Sequence, residues 1–406
     1  MVSRTDAALS VPWMLGFLLA ASLAWLVEGF AAESAAARST ASITLAKSMI
    51  AADIAEYSRK LEEYTAALQK YDDEVNGYWT AIADKRRARI AKRRNNEKIQ
   101  IDDYVLAQPP VYLGPTKPVD PSAPIEEAPR PKKYVPVVAD FLRAVEQEFN
   151  FVPQQPQRDI EYKRAYAKVA SAAGLTKEQV VRIYAFESGG NGKYSAQSGI
   201  EEPTLDAQAI STALGYNQLL AANSVGLIAE KGDRFIETLN TKADGLTGEA
   251  RQKLENKIAA LKAMIDFSRT VPDQWSEHEK LAKTPKGLGI HAMNLDLDVG
   301  PLLQTQKLMD SVVFAQTMGY HKVLTAAELE MMNLTGDGNG IDIVMMPLEW
   351  RDKVPTSNFF RKGGYESNPI AIRNNVVSKL FEAINATMDE EIQLEGAAHL
   401  AALFAN

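Results

Sequence analysis

The stretch Leu175-Thr176-Lys177-Glu178-Gln179-Val180-Val181-Arg182-Ile183-Tyr184-Ala185-Phe186-Glu187-Ser188-Gly189-Gly190-Asn191-Gly192 reads as a helix that runs into a carboxylate. Thr176 and Gln179 have the spacing of a capping box. The glycines after Ser188 stop the helix, so it spans residues 177–187. Val180, Ile183 and Tyr184 share one face, as a core-facing helix requires. Glu187 falls in the last turn, beside a glycine loop that leaves room for a ligand. The helix dipole opposes negative charge at that end. Next to apolar Phe186, the acid is expected to hold its proton near neutral pH, the state a general acid needs. A surface glutamate at a helix end is the plainer reading, and these residues alone do not decide between the two.

Working outward, the chain continues as helix after helix. Residues 161–173 end at Gly174, and apolar periodicity predicts helices over 214–229, 248–268, 302–318, 326–332 and 375–388. Ile341-Asp342-Ile343-Val344-Met345 is the best strand candidate, and it is short. The expectation is an all-α, or nearly all-α, globular domain over residues 158–406, with a charged helical insertion at about 235–285.

Upstream, residues 107–156 hold 11 of the 19 prolines. Proline fixes φ and removes backbone donors, so residues 106–157 read as an extended, rather stiff linker, with a short helix over 137–149. Before it, Ile50, Ile54, Tyr57, Leu61, Tyr64, Leu68, Tyr71, Val75, Tyr78 and Ile82 recur at alternating spacings of 4 and 3. That is a heptad seam inside a long helical arm, residues 40–105. Residues 43–82 are therefore expected to self-associate or to bind an envelope protein; the other reading folds the helix back on the globular domain. The arm turns basic at Lys85, Arg86, Arg87, Arg89, Lys92, Arg93 and Arg94. That run reads as a solvated face or as a contact for anionic lipid or an acidic polymer. Residues 7–27 carry no charge, with Arg4 before and Glu28 after. Residues 1–36 thus read as a cleaved signal peptide or an inner-membrane anchor, and both place the rest in the periplasm.

The composition narrows the function classes. The 406 residues are 46% hydrophobic and 24% charged, as in globular proteins. A net charge of −7 argues against nucleic acid as a partner. Cysteine is absent, and the four histidines show no ligand spacing, so no metal and no cofactor are expected.

A second motif follows Glu187 by about thirty residues: Ala213-Leu214-Gly215-Tyr216-Asn217-Gln218-Leu219-Leu220. Amide side chains at Asn217 and Gln218 suit a neutral sugar with hydroxyl and acetamido groups, and Tyr216 has the shape to stack on a pyranose. Glu187-Ser188-Gly189 at a helix end, with Gly215-x-x-Gln218-Leu219 on a second helix, resembles the soluble lytic transglycosylases, whose fold is like goose-type lysozyme. The resemblance spans about residues 160–225. It implies that Glu187 is the sole catalytic carboxyl, that Ser188 supports the substrate acetamido group, and that Gly215 and Gln218 line a glycan groove. A third family element, Ala-Tyr-Asn, is matched at Met331-Met332-Asn333 only in Asn333; Met332 stands in place of the tyrosine. The acidic stretch 197–212 and the insertion at 235–285 are further departures.

The chemistry can be stated from the substrate. Cleaving a glycoside needs a proton for the leaving oxygen and a nucleophile at the anomeric carbon. One carboxyl suffices where the substrate brings its own nucleophile. In N-acetylmuramic acid the acetamido oxygen stabilises the cation, and the C6 hydroxyl closes onto C1 to give a 1,6-anhydro end. A second carboxylate, from Glu201, Glu202 or Asp206, would activate water instead and make the protein a hydrolytic muramidase. A third reading is a weak or inactive glycan-binding scaffold of an envelope complex. Asn333-Leu334-Thr335-Gly336-Asp337-Gly338-Asn339-Gly340-Ile341-Asp342 has oxygen ligands like a calcium loop, but Val344 stands where the bidentate Glu belongs, so a glycine turn is the better reading.

Overall fold

A computed structural model describes residues 24–121, 134–200 and 207–404, with side chains from residue 51 on. The described residues are helical, with no strand among them and only isolated bridges at Gln197–Leu214, Leu214–Leu219 and Pro355–Val376. Contacts divide the chain into two units, Met1–Asp73 with Val111–Pro129, and Glu74–Pro110 with Arg130–Asn406. The Pro-rich stretch is therefore shared between them. The expected boundaries at 105 and 157 reflect composition, whereas packing draws residues 74–110 and 134–157 into the larger unit.

Helix α1 covers Ala24–Arg94. In the smaller unit, Tyr112 returns to pack edge-on against Tyr64 and Tyr71, with ring centres 6.3 and 5.4 Å apart. Part of the tyrosine seam is thus covered by the chain itself. No helix among the described residues is long and apolar enough to cross a membrane. The apolar run 7–27 lies outside them, save for residues 24–27, which open α1.

In the larger unit, the last turns of α1 are part of the fold. Val75 and Ile82 are buried, and Tyr78 shares a hydrogen bond with Ser357. The basic run is not a solvated face throughout. Arg89 is fully buried and donates to Asp342 at 2.9 Å and to the Asp103 and Asn358 carbonyls. Arg93 also pairs with Asp342, and Lys92 with Asp103. Arg89, shut off from solvent, has protein carboxylate and carbonyl oxygens in place of water.

Next come α2 (Val138–Phe149), α3 (Asp159–Ala172), α4 (Lys177–Ser188), α5 (Ala221–Asp244), α6 (Gly248–Ser268), α7 (Trp275–Ala282) and α8 (Pro285–His291). They are followed by α9 (Val299–Thr317), α10 (Ala326–Thr335) and α11 (Asp337–Val344). Short α12 (Leu348–Arg351), α13 (Lys362–Glu366) and α14 (Pro369–Arg373) precede α15 (Val377–Glu391) and α16 (Glu395–Ala402). One core joins α3, α4, α10, α11, α15 and α16. A second joins α2, α5, α6 and α8 through residues such as Phe141, Val225, Ile258 and Ile290. Helix α9 contributes Val299 and Leu303 to the second core and Leu308 and Ala315 to the first.

The expected strand at 341–345 is a helix. Ile341, Asp342 and Ile343 are all buried, so the apparent alternation is not a two-faced strand. Asp342 is drawn inside by Arg89 and Arg93. Gly340 lies so close to α10 that a Cβ there would stand 2.4 Å from the Met332 Cα, which ties α11 to α10.

Candidate active site

Helix α4 starts as its sequence predicts. The Gln179 N–H donates to the Thr176 hydroxyl at 3.1 Å, and the Thr176 N–H to the Gln179 side chain at 2.9 Å. Val180, Ile183 and Tyr184 are fully buried. The helix ends after Ser188, with Gly189 at φ +60°. This places Glu187, partly exposed, where two cavities meet. One, of 580 Å³, is lined by Ser188, Asn191, Lys193, Ser195 and Gln197 among others. The other, of 1010 Å³, is lined by Arg86, Trp275, Lys307 and Asn333 among others. Glu187 and Gln218 line both.

The second motif is not helical. Residues 214–219 form a tight turn, closed by reciprocal Leu214–Leu219 backbone hydrogen bonds of 3.0 Å, and α5 starts only at Ala221. Gly215 sits at φ +83° with Gln304 against it: a Cβ would stand 2.6 Å from the Gln304 Nε2. Only glycine meets both conditions. Gly215 therefore shapes the turn from behind rather than lining the groove. Gln218 takes up φ +42°, uncommon for a residue with a side chain. Its Nε2 donates to the Gly215 and Ala196 carbonyls at 2.8 and 3.1 Å. Its place in the groove is thus fixed by the turn and by the loop after Glu187.

Tyr216 and Asn217 are core residues, a correction to their expected role in sugar binding. Tyr216 is fully buried among Tyr162, Tyr166 and Tyr184, and its hydroxyl donates to Asp159 at 3.0 Å. Asn217 is held by Gln304 and Tyr166. The polar tips that suggested a sugar site are satisfied inside the protein. They lock the turn to α3, α4 and α9, and so keep Gln218 in the linings it shares with Glu187. Ser188 does line the smaller cavity, and its hydroxyl donates to the Tyr184 carbonyl at 2.6 Å.

Asn333 stands beside Glu187. Its Nδ2 donates to the Glu187 Oε1 at 2.6 Å, across 146 residues of sequence. Met332, in place of the expected tyrosine, is fully buried under Gly340 and does not line either cavity. The oxygen ligands of the calcium-loop reading diverge: Asn333 faces Glu187, Asp337 accepts from Ser311, and Asp342 holds two arginines. The stretch is a glycine joint between two helices, with Gly336 at φ +80°. Among the described residues no cluster of imidazole and carboxylate groups is placed to hold a metal. Glu201, Glu202 and Asp206 lie outside the described residues. Among the described residues before them, Gln197 donates from its side chain to the Pro136 and Ser211 carbonyls.

The electrostatics centre on a residue that sequence reading missed. Glu330 is fully buried on α10, one turn before Asn333. Neither of its oxygens has a hydrogen-bond partner, and its carboxyl and that of Glu187 act on one another. Burial pushes the Glu187 pKa up to about 7, while contact with Glu330, the charge of Lys307 and the Asn333 amide pull the other way. Burial, then the charge of Glu187 and contact with it, raise Glu330 well above the usual carboxylate range. Of the pair, Glu330 is the one pushed further toward its neutral form. An acid flanked by Leu329, Met331 and Met332, three residues before Asn333, was the signal in the sequence: residues three apart share a helix face.

Comparison with protein-family profiles, with curated proteins and with solved structures returns no match for this chain.

Proposed function

We propose that this chain is a peptidoglycan lytic transglycosylase, with a fold of the lysozyme-like kind and Glu187 as its single general acid and base. The observation that carries this reading is a carboxyl that lines two cavities together with Gln218 and accepts from Asn333, with burial pushing its pKa up to about 7. A glycan strand laid along both cavities presents its MurNAc–GlcNAc bond to that carboxyl. Glu187 gives its proton to the leaving oxygen as the C1–O bond breaks. It then takes the C6 hydroxyl proton as O6 closes on C1, leaving a 1,6-anhydroMurNAc end. Water is not required as nucleophile.

Glu330 does not favour the two-carboxylate alternative. Hydrolases that use two carboxyls hold them roughly 5 to 9.5 Å apart, on opposite sides of the bond. Glu330 is fully buried and lines neither cavity, so it does not face the bond from the opposite side. The charge-free run 7–27 supports a location in the periplasm, by export or by anchoring in the inner membrane. The seam of α1 supports an envelope partner for the part its own chain leaves uncovered. Mass spectrometry of digested sacculi tests the reading. Anhydro-muropeptides are expected from the wild type and not from Glu187→Gln. Reducing ends would indicate a muramidase, and no products at all a glycan-binding scaffold.

A further inference from the structure

Glu330 has no structural duty that would explain it. Neither of its oxygens has a hydrogen-bond partner in the structure. An ionised carboxylate cannot be held this way without a large penalty. A neutral carboxylic acid can, if its own O–H finds an acceptor, and the acceptor at hand is the Glu187 carboxyl, which Asn333 holds at 2.6 Å one turn along the same face of α10. The surroundings fit a neutral group. From α4 comes Glu187, from α10 itself Asn333, and from α9 Lys307, whose charge acts on both carboxyls. Helices α11 and α15 add buried aliphatics such as Ile341 and Ile384 to the same core, and Asp342 of α11 is taken by Arg89.

We propose that Glu330 is a permanently neutral hydrogen-bond donor that stabilises the Glu187 carboxylate between its two proton transfers, and so acts as a positioning residue for the acid. This rests on reading Glu187 as the acid and base. Once Glu187 has given its proton to the leaving oxygen, a bare carboxylate is left at the floor of the groove. The Glu330 O–H donates to one side of it and the Asn333 amide to the other. Such charge-assisted bonds are the strong ones. The C6 hydroxyl proton then returns to Glu187, and Glu330 keeps its own proton throughout. Without this donor, Glu187 would hold its proton too tightly to release it.

The test is a side-chain carboxyl titration by ¹³C NMR in the full chain, which needs no substrate. The Glu187 and Glu330 resonances are assigned by their loss in Glu187→Gln and Glu330→Gln. In the wild type, Glu330 should stay in its acid form through the pH range in which Glu187 titrates. In Glu330→Leu the donor is gone, and the Glu187 midpoint should rise by about one pH unit or more. Glu330→Gln keeps an N–H donor and should stay within about half a unit of the wild type. The basic limb of activity on sacculi should move with the midpoint, and kcat should fall more than KM changes. If both variants lower the Glu187 midpoint, Glu330 is an anion and the proposal is wrong. If neither moves it, Glu330 only fills space and the proposal is again wrong. Should Glu330→Leu not fold, a Glu330 that ionises before Glu187 in the wild type overturns it alone. Sacculi left uncut, with the titrations as expected, would sink the catalytic reading of Glu187 and leave the paired carboxyls standing.

Discussion

Under the proposed function, one carboxyl at Glu187 has to be an acid and then a base, and burial, which makes its ion unfavourable, suits that need. The consequence can be read in stability as well as in catalysis. An unfolded glutamate ionises near 4.5, the folded Glu187 at about 7. Between those values the native chain keeps a proton that the unfolded chain has lost. Stability therefore falls as pH rises from 4.5 to 7 and stays lowered above. Glu187→Gln has the same shape and never ionises. It should match the wild type at pH 4 and be more stable at pH 8 by roughly 1 to 3 kcal/mol. Thermal melts at the two pH values check this, and a difference that does not grow with pH would count against a strained acid. His291 has the opposite sign. Burial lowers its pKa to about 4, so the contribution of its neutral ring to stability is complete above 6.5 and lost as pH falls toward 4. Glu187 was legible because its place marks a helix end, while Gln218 and Asn333 were reached through the motifs that carry the family resemblance. Tyr216 and Asn217 misled because residue type says nothing about burial, and their polar ends found partners inside. Glu330 escaped because its chemistry depends on Glu187, 143 positions earlier in the chain.

At the scale of elements, the helical insertion contributes to the groove. Helices α5 and α6 form a pair closed by Lys257, which is buried and bonds Asp296 and Asp298 ahead of α9. The next helix, α7, brings Trp275 to the wall of the larger cavity, 47% exposed. An indole left half open beside polar groups is suited to stack on a sugar face. Under the proposed function, Trp275→Ala should raise KM for long glycan strands about five- to tenfold, with kcat changed less than twofold, since a stacked ring is worth about 1 to 1.5 kcal/mol. Short oligosaccharides that do not reach α7 should be processed as before. An equal loss on short and long substrates would remove α7 from the subsite. The insertion was visible in the sequence as a charged helix with one apolar face. That it walls the groove was not, because a periodic pattern gives the buried face but not what the other face borders. The basic run of α1 shows the same limit. Seven cations in ten residues look like a solvated or lipid-facing surface, and only the fold brings Asp342 to Arg89 across 253 positions.

For the molecule as a whole, the boundary that matters falls inside α1. Its turns from Glu74 to Arg94 belong to the same compact unit as the groove. They supply Val75 and Ile82 to the interior and Arg86 to the larger cavity. They also supply the buried Arg89, whose guanidinium lies 4.5 Å from the centre of the Tyr104 ring. The turns up to Asp73 pair instead with residues 111–121, where Tyr112 covers Tyr64 and Tyr71. Two truncations separate these roles. A chain starting at Glu74 keeps every contact of the larger unit and should melt close to the full chain in that transition. Its Tyr112 loses its partners, so proteolysis within residues 111–121 should speed up. A chain starting at Asn95 leaves Asp342 buried without Arg89 and Arg93. Breaking a buried pair by removing one side costs about 3 to 5 kcal/mol, and the apolar losses at Val75 and Ile82 add to it. In a unit of this size that lowers the melting temperature by roughly 10 °C or more, and under the proposed function sacculus cleavage should be lost as the larger cavity loses Arg86. Scanning calorimetry of the two chains decides the matter. If both melt alike, the end of α1 is an appendage, and the fold of the groove has to be explained without it.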